Sequence, residues 1–318
     1  MQLRRLLTLA LFFALGLSAC DAPTDAPPPA TAVPTRASSA ATATTSAPTR
    51  TTAASATPPP TATTLPTDTP EPTAAPSATP DVLPRDAVRI EFEAADGTTL
   101  VGYYFPAALA NAPLVVLMEM VGDDQQRWVT VGLVSWLQNR GLPGTAQEFV
   151  GLFPAMPEGR SYAVFTFDFR QHGESANGPV PDFGVFLDDA RAAIEVARSQ
   201  PDVDPDRVGL VGSSIGGDAA VDTCADGCVA ALSLSPGSYL NMVYSTTVEA
   251  LDQAGIPAWC LAATGDREAD PTCASASGDH YRHVPFEGND HGTDLIRIGQ
   301  TPDIGPIFLE WLDTWSAP

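Results

Sequence analysis

A chain of 318 residues has room for a leader and one large domain, or for two small ones. Its formal charge is −22 at pH 7 and its basic side chains are all arginine. An acidic surface of this kind repels phosphate backbones, which excludes nucleic acid as a natural partner and argues against electrostatic docking on anionic lipid.

The chain opens with Arg4 and Arg5, an apolar run from Leu6 to Leu17, and then Leu17-Ser18-Ala19-Cys20. The run is too short for a spanning helix, and a charged start, an apolar centre and small residues before the cut fit a secretory signal. Cys20 after Leu-Ser-Ala resembles a bacterial lipobox, which implies cleavage before Cys20 and lipid on its sulfur; an ordinary signal peptide with a chance cysteine is the alternative. Residues 1–20 are therefore expected to be a lipoprotein signal. Residues 21–84 are almost all Ala, Thr, Pro and Ser. Such a segment buries too little apolar surface to offset its ordering entropy and is expected to be a disordered linker. The folded domain is then 85–318. The expected location is outside the cytoplasm, with contact to the membrane only through the anchor.

Within the domain, Val88–Glu93 and Thr98–Phe105 flank Asp96-Gly97 and read as an antiparallel edge hairpin. Leu114–Met118 is a continuous apolar run of the kind buried in a parallel sheet, and Glu119-Met120-Val121-Gly122-Asp123-Asp124 follows as its exit loop. The paired carboxylates Asp123-Asp124 read as a solvated turn. The spacing predicts a helix over Trp128–Asn139. The long stretch Gly141–Arg160, with Phe149, Leu152, Phe153 and Met156, is either a lid or a loop packed on the sheet edge. Tyr162–Phe167 is the next strand and Phe186–Arg198 the next helix. Val208–Val211 leads into Gly212-Ser213-Ser214-Ile215-Gly216, a Gly-x-Ser-x-Gly between a strand and a small-residue helix start. That pattern lifts the central serine off the strand with its hydroxyl exposed. Strands over Val229–Leu234, Pro257–Ala263 and Tyr281–Phe286 and a closing helix over Ile304–Trp315 complete the pattern. Strands alternating with helices mean an α/β domain with a mostly parallel sheet covered on both faces, whose working residues lie at the strands' C-terminal ends.

Setting Cys20 aside leaves Cys224, Cys228, Cys260 and Cys273, an even number that suits export. Of the three connectivities, the local pairs Cys224–Cys228 and Cys260–Cys273 are favoured; the spacings lack the two Cys-x-x-Cys pairs of a zinc site.

The order of these elements and three motifs resemble the α/β-hydrolase fold, in particular exported bacterial esterases and dienelactone-hydrolase-like proteins. Asp168-Phe169-Arg170-Gln171-His172-Gly173-Glu174-Ser175 resembles the family's D-x-R-G-x-G-x-S segment, with Gln171 in place of a glycine. Ser213-Ser214-Ile215-Gly216-Gly217 resembles its nucleophile elbow, and Asn289-Asp290-His291-Gly292-Thr293 its histidine loop. The resemblance spans about Val88 to Trp315.

A serine hydroxyl needs a base within reach and an acid to hold that base. The resemblance assigns these roles to Ser214, His291 and Asp266, in the chain order this fold uses. Glu268 and Asp270 are alternative acids, and a turn role for Asp266 is the competing reading. His172 is read as a loop-packing residue, and His280 and His283 as surface or edge residues. The oxyanion donors are expected to be the N–H groups of Ile215 and Val121, with Met120 as the alternative to Val121. Here the sequence departs from the pattern, because Glu119-Met120 replaces the usual His-Gly and sets a carboxylate near a developing anion. The expected activity is hydrolysis of an ester or similar acyl bond in a small-molecule or acyl substrate, without metal or organic cofactor. A non-catalytic binding lipoprotein and a peptidase on the same fold are the rival readings.

Overall fold

The computed structural model describes residues 87–139 and 151–316. The leader, Cys20, the linker 21–84 and Phe149 lie outside the described residues.

The continuous apolar runs form the middle of one sheet of eight strands: β1 (Val88–Glu93), β2 (Thr99–Phe105), β3 (Ala112–Met118), β4 (Ala163–Asp168), β5 (Val203–Ser213), β6 (Ala230–Leu234), β7 (Ala258–Ala263) and β8 (Tyr281–Phe286). Their order across the sheet is β1-β2-β4-β3-β5-β6-β7-β8. The hairpin β1–β2 is antiparallel and joins β4 antiparallel, with β1 at the edge. From β4 to β8 every pair is parallel, Leu117 of β3 lying opposite Thr166 of β4 and Val211 of β5. All six parallel strands therefore end on one edge. This edge receives Glu119, Phe169, Ser214, Ser235 and the loops after β7 and β8.

Alternation along β3 divides the core into two layers. Leu114, Val116 and Met118 point to one face, where they meet α3 (Val185–Arg198), α4 (Ile215–Asp222), α5 (Tyr244–Gln253) and α6 (Ala269–Ser275). Val115 and Leu117 point to the other, where α1 (Gln126–Thr130), α2 (Leu133–Leu137) and α7 (Ile304–Asp313) bring Trp128, Trp136, Phe308 and Trp311. A strand covered on both faces keeps no polar positions, which is why its sequence reads as an unbroken apolar run.

Three features differ from the sequence expectation. The helix expected over Trp128–Asn139 is two short helices, because Gly132 between them has φ of +80°. Helix α5 was not expected. Its Thr and Val content reads as neutral to poor for helix, yet Tyr244, Thr247, Val248 and Leu251 are buried at helical spacing. Helix α6 is short and carries Pro271, tolerated in a first turn, so its sequence reads as loop.

Both local disulfides are present, Cys224–Cys228 with Cα atoms 4.8 Å apart and Cys260–Cys273 with Cα atoms 5.6 Å apart. The second ties β7 to α6 and closes the loop that carries Asp266. Residues 151–160 form the packed loop: Leu152 and Met156 are buried, and Phe153 stacks on Trp136 at 4.9 Å.

The D-x-R segment is a latch. The Arg170 side chain is fully buried; its Nη2 lies 2.7 Å from Asp189 Oδ1 on α3, and its Nη1 lies 2.8 Å from Asp96 in the β1–β2 turn and 2.7 Å from the Pro179 carbonyl. Asp168 accepts the N–H groups of Gln125 and Glu174, each at 2.8 Å. The exit of β4 is thereby tied to the loop after β3.

Candidate active site

Ser214 sits between β5 and α4 with φ of 52° and ψ of −115°, a conformation L-residues seldom adopt. The turn is held by the Ser214 N–H donating to the Leu234 carbonyl at 2.8 Å. The flanking glycines are sterically required. A Cβ on Gly212 would run into the Gly216 carbonyl, and one on Gly216 into the carbonyls of Met118 and Glu119. Ile215 opens α4, so its N–H belongs to the first turn, where helix N–H groups have no partner inside the helix.

His291 and Asp266 meet: Nδ1 of the imidazole is 2.6 Å from Oδ2 of the carboxylate. Oδ1 of Asp266 accepts the N–H groups of Ala269 at 3.1 Å and Glu268 at 3.3 Å at the start of α6. Burial pushes this carboxyl up, but the bonds from His291, Ala269 and Glu268 outweigh it and hold Asp266 below its usual range. An ionised Asp266 accepts, so the ring proton lies on Nδ1 and Nε2 is left as the acceptor. Of the alternative acids, Asp270 lies beside His283, 3.3 Å away, and Glu268 lies near Tyr239. Asp266 is the carboxylate that reaches His291.

The histidine loop touches the elbow. A Cβ on Gly292 would meet both the Ser213 hydroxyl and the Met120 sulfur, and the Gly292 N–H donates to Ser235 Oγ at 2.9 Å. Thr293 donates to Asp123 Oδ2 at 2.9 Å, so Asp123 serves to join this loop to the turn after β3. Asp124 accepts the Gln126 N–H at 2.9 Å. Ser214 Oγ and His291 Nε2 are on these touching loops without a hydrogen bond between them, a contact that commonly tightens only on substrate binding.

The turn expected to carry the second oxyanion donor runs Met120-Val121-Gly122-Asp123, closed by the Asp123 N–H to the Met120 carbonyl at 3.1 Å. Gly122 has φ of +92°, the conformation required at the third position of a type II turn. Glu119, which opens this segment, does not project into solvent. It is fully buried; Oε1 accepts the Phe169 N–H at 2.9 Å and lies 2.7 Å from His172 Nδ1. His172 is thus more than a packing residue, a role that sequence spacing did not signal. Asp218, one turn after Ser214, is a further residue that no sequence pattern marks. It is buried and accepts the N–H groups of Gly237 at 3.1 Å and Tyr239 at 2.6 Å, bracing the loop after β6. Burial pushes its carboxyl up to about 7 against those bonds.

Four exposed apolar side chains stand on loops at the same edge of the sheet: Val121 after β3, Phe183 after β4, and Met242 and Val243 after β6. The second and third loops are linked by Asn241 Nδ2 donating to Asp182 Oδ1 at 2.9 Å.

No protein-family model matches the chain. It is 34% identical over 189 residues to the uncharacterized protein YfhR of Salmonella typhimurium, covering 57% of this chain and 50% of that protein. To the uncharacterized protein Rv2307c of Mycobacterium tuberculosis it is 32% identical over 237 residues, covering 74% of this chain and 68% of that one. Thus the chain spans about half the length of the first of these relatives and two thirds of the second. Among solved structures, an esterase of Pyrococcus furiosus superposes with a TM-score of 0.54 at 14% identity, covering 73% of this chain and 92% of the esterase. At that identity the likeness establishes the α/β-hydrolase fold.

Proposed function

We propose a serine-hydrolase activity for this chain, which belongs to the same family as Rv2307c of Mycobacterium tuberculosis and has the α/β-hydrolase fold. The substrate class is a carboxylic ester or related acyl compound. Ser214 Oγ attacks the carbonyl carbon while His291 Nε2 takes its proton. The displaced carbonyl electron pair becomes an oxyanion held by the N–H groups of Ile215 and Val121. His291 then protonates the departing alkoxide as its C–O bond breaks. A water molecule repeats the sequence and releases the acid. Asp266 holds the imidazole in the tautomer that accepts and offsets the charge it gains. The route uses side chains, main-chain N–H groups and water.

The observation that carries this reading is the 2.6 Å His291–Asp266 bond on a loop packed against the strained serine turn. The exposed apolar side chains at the same edge favour an acyl or alkyl group over a charged substrate. Short nitrophenyl esters test it: the full chain turns them over, and Ser214→Ala lowers kcat by about 10⁴ or more, with an unchanged melting curve. A folded parent with no turnover moves the weight to a binding protein on this fold.

Export and anchoring through Cys20 belong to the same proposal. The lipobox-like sequence supports them, as do the two disulfides, which need an oxidising compartment. In a bacterial host, labelled palmitate is expected to enter the parent and not Cys20→Ser. Equal labelling of both would discard the anchor.

A further inference from the structure

Glu119 lies where two parts of the site meet. Its backbone carbonyl abuts Gly216 of the elbow helix, and its side chain reaches across to the exit of β4. There Oε1 serves both the Phe169 N–H and His172 Nδ1, while Oε2 is buried and has no hydrogen-bond partner among the described residues. A carboxyl with one oxygen stranded in the interior is a poor place for negative charge. The charged neighbours make it poorer. Asp168 at the end of β4 and Asp123 and Asp124 in the turn after β3 all bear on Glu119, while Asp168 and Asp189 of α3 bear on His172. The nearby cations are already engaged, Arg170 with Asp189 and Asp96 and Arg127 with Asp294. His172 itself is wedged against the rings of Phe169 and Phe186, at 6.4 and 6.2 Å.

We propose that Glu119 and His172 are a proton-sharing pair that positions the oxyanion turn and keeps it free of an adjacent negative charge, so that losing the shared proton lowers the rate. The inference rests on the oxyanion role given to Val121 above. In the working form Glu119 carries the proton on Oε1 and donates it to His172 Nδ1, while another lone pair of Oε1 accepts the Phe169 N–H. The imidazole is neutral, with its own proton on Nε2.

The direction of both titrations agrees with this geometry. Burial, then Asp168, pushes the Glu119 carboxyl well above the usual carboxylate range; the Phe169 N–H opposes this, and Asp124 and Asp123 add to the rise. Burial pushes the His172 imidazole down, so it stays neutral and does not offset the charge when Glu119 ionises. The sign follows. Glu119 is protonated at lower pH and loses its proton as pH rises through its raised folded value, leaving an anion behind the turn that must hold an oxyanion.

The test follows the rate of Ser214 modification by a fluorophosphonate between about pH 5 and 10 in the full chain. The parent is expected to show an alkaline fall of about tenfold, the size of a charge acting across a few residues at the effective dielectric of a protein. Glu119→Gln cannot ionise; its carbonyl at the Oε1 position accepts from the Phe169 N–H and from His172 with the ring proton moved to Nδ1, and the fall disappears. His172→Phe removes the proton acceptor, and kcat drops at all pH values with little change in KM. An alkaline fall retained in Glu119→Gln overturns the inference. Where that variant does not fold, an unchanged kcat in His172→Phe overturns it instead. A parent that is never labelled sinks the hydrolase reading itself, which separates the two failures.

Discussion

Asp266→Asn is expected to lower kcat by about 10⁴ and to leave the fold intact. The position has two duties, and asparagine keeps one of them. Its carbonyl replaces Oδ1 as the acceptor for the Ala269 and Glu268 N–H groups, so the start of α6 survives at a cost under about 1 kcal/mol. Its amide then faces His291 where Oδ2 stood, and an amide donates. The imidazole must turn its lone pair to that donor at Nδ1, which puts the proton on Nε2 and removes the acceptor for the serine hydroxyl. KM is expected to change little, because Asp266 faces His291 and the start of α6 and acts through the imidazole. Ester turnover beside a thermal melt checks both halves. A fully active Asp266→Asn would reassign the acid to Glu268 or Asp270, and each of these is already engaged elsewhere.

Arg170→Met is expected to remove about 3–5 kcal/mol of stability, because it deletes one partner of a buried charge pair and leaves the other behind. Asp189 is fully buried and receives both the Arg170 guanidinium and the Arg170 N–H. Burial pushes its carboxyl up, with the Arg170 bonds as the opposing influence. Without the guanidinium that rise grows, so the variant gains protons on folding around Asp189. A group raised on folding contributes stability below its unfolded value and loses that contribution as pH rises through its folded value. The gap between parent and variant therefore narrows in acid. Urea melts at about pH 5 and pH 8 measure it. An equal loss at both would mean that the packing of the arginine, and not the charge left on Asp189, sets the cost.

Much of this architecture is written locally in the chain. The buried strands read directly as apolar runs, and Asp96-Gly97 marks the hairpin. Gly212 and Gly216 mark the elbow because the turn excludes side chains at those two positions, with Ser214 between them. The closing of the acid loop by Cys260 and Cys273 was legible from cysteine count and separation. What escaped depends on neighbours in space. Glu119 and His172 are 53 residues apart and meet because β3 and β4 are adjacent strands with matched ends. Asp218 braces Gly237 and Tyr239 only because the exit of β6 lies beside the elbow helix. The two unforeseen helices are short or rich in β-branched residues, and their burial against the sheet, not their propensity, makes them helical.

We propose Ser214 as a nucleophile activated by His291. The most direct measurement is to expose the full chain to a fluorophosphonate, digest it, and locate the adduct by mass spectrometry, with His291→Ala alongside. One adduct is expected, on Ser214, forming slowly or not at all in the variant. Labelling on another residue, or equal rates in parent and His291→Ala, would contradict it.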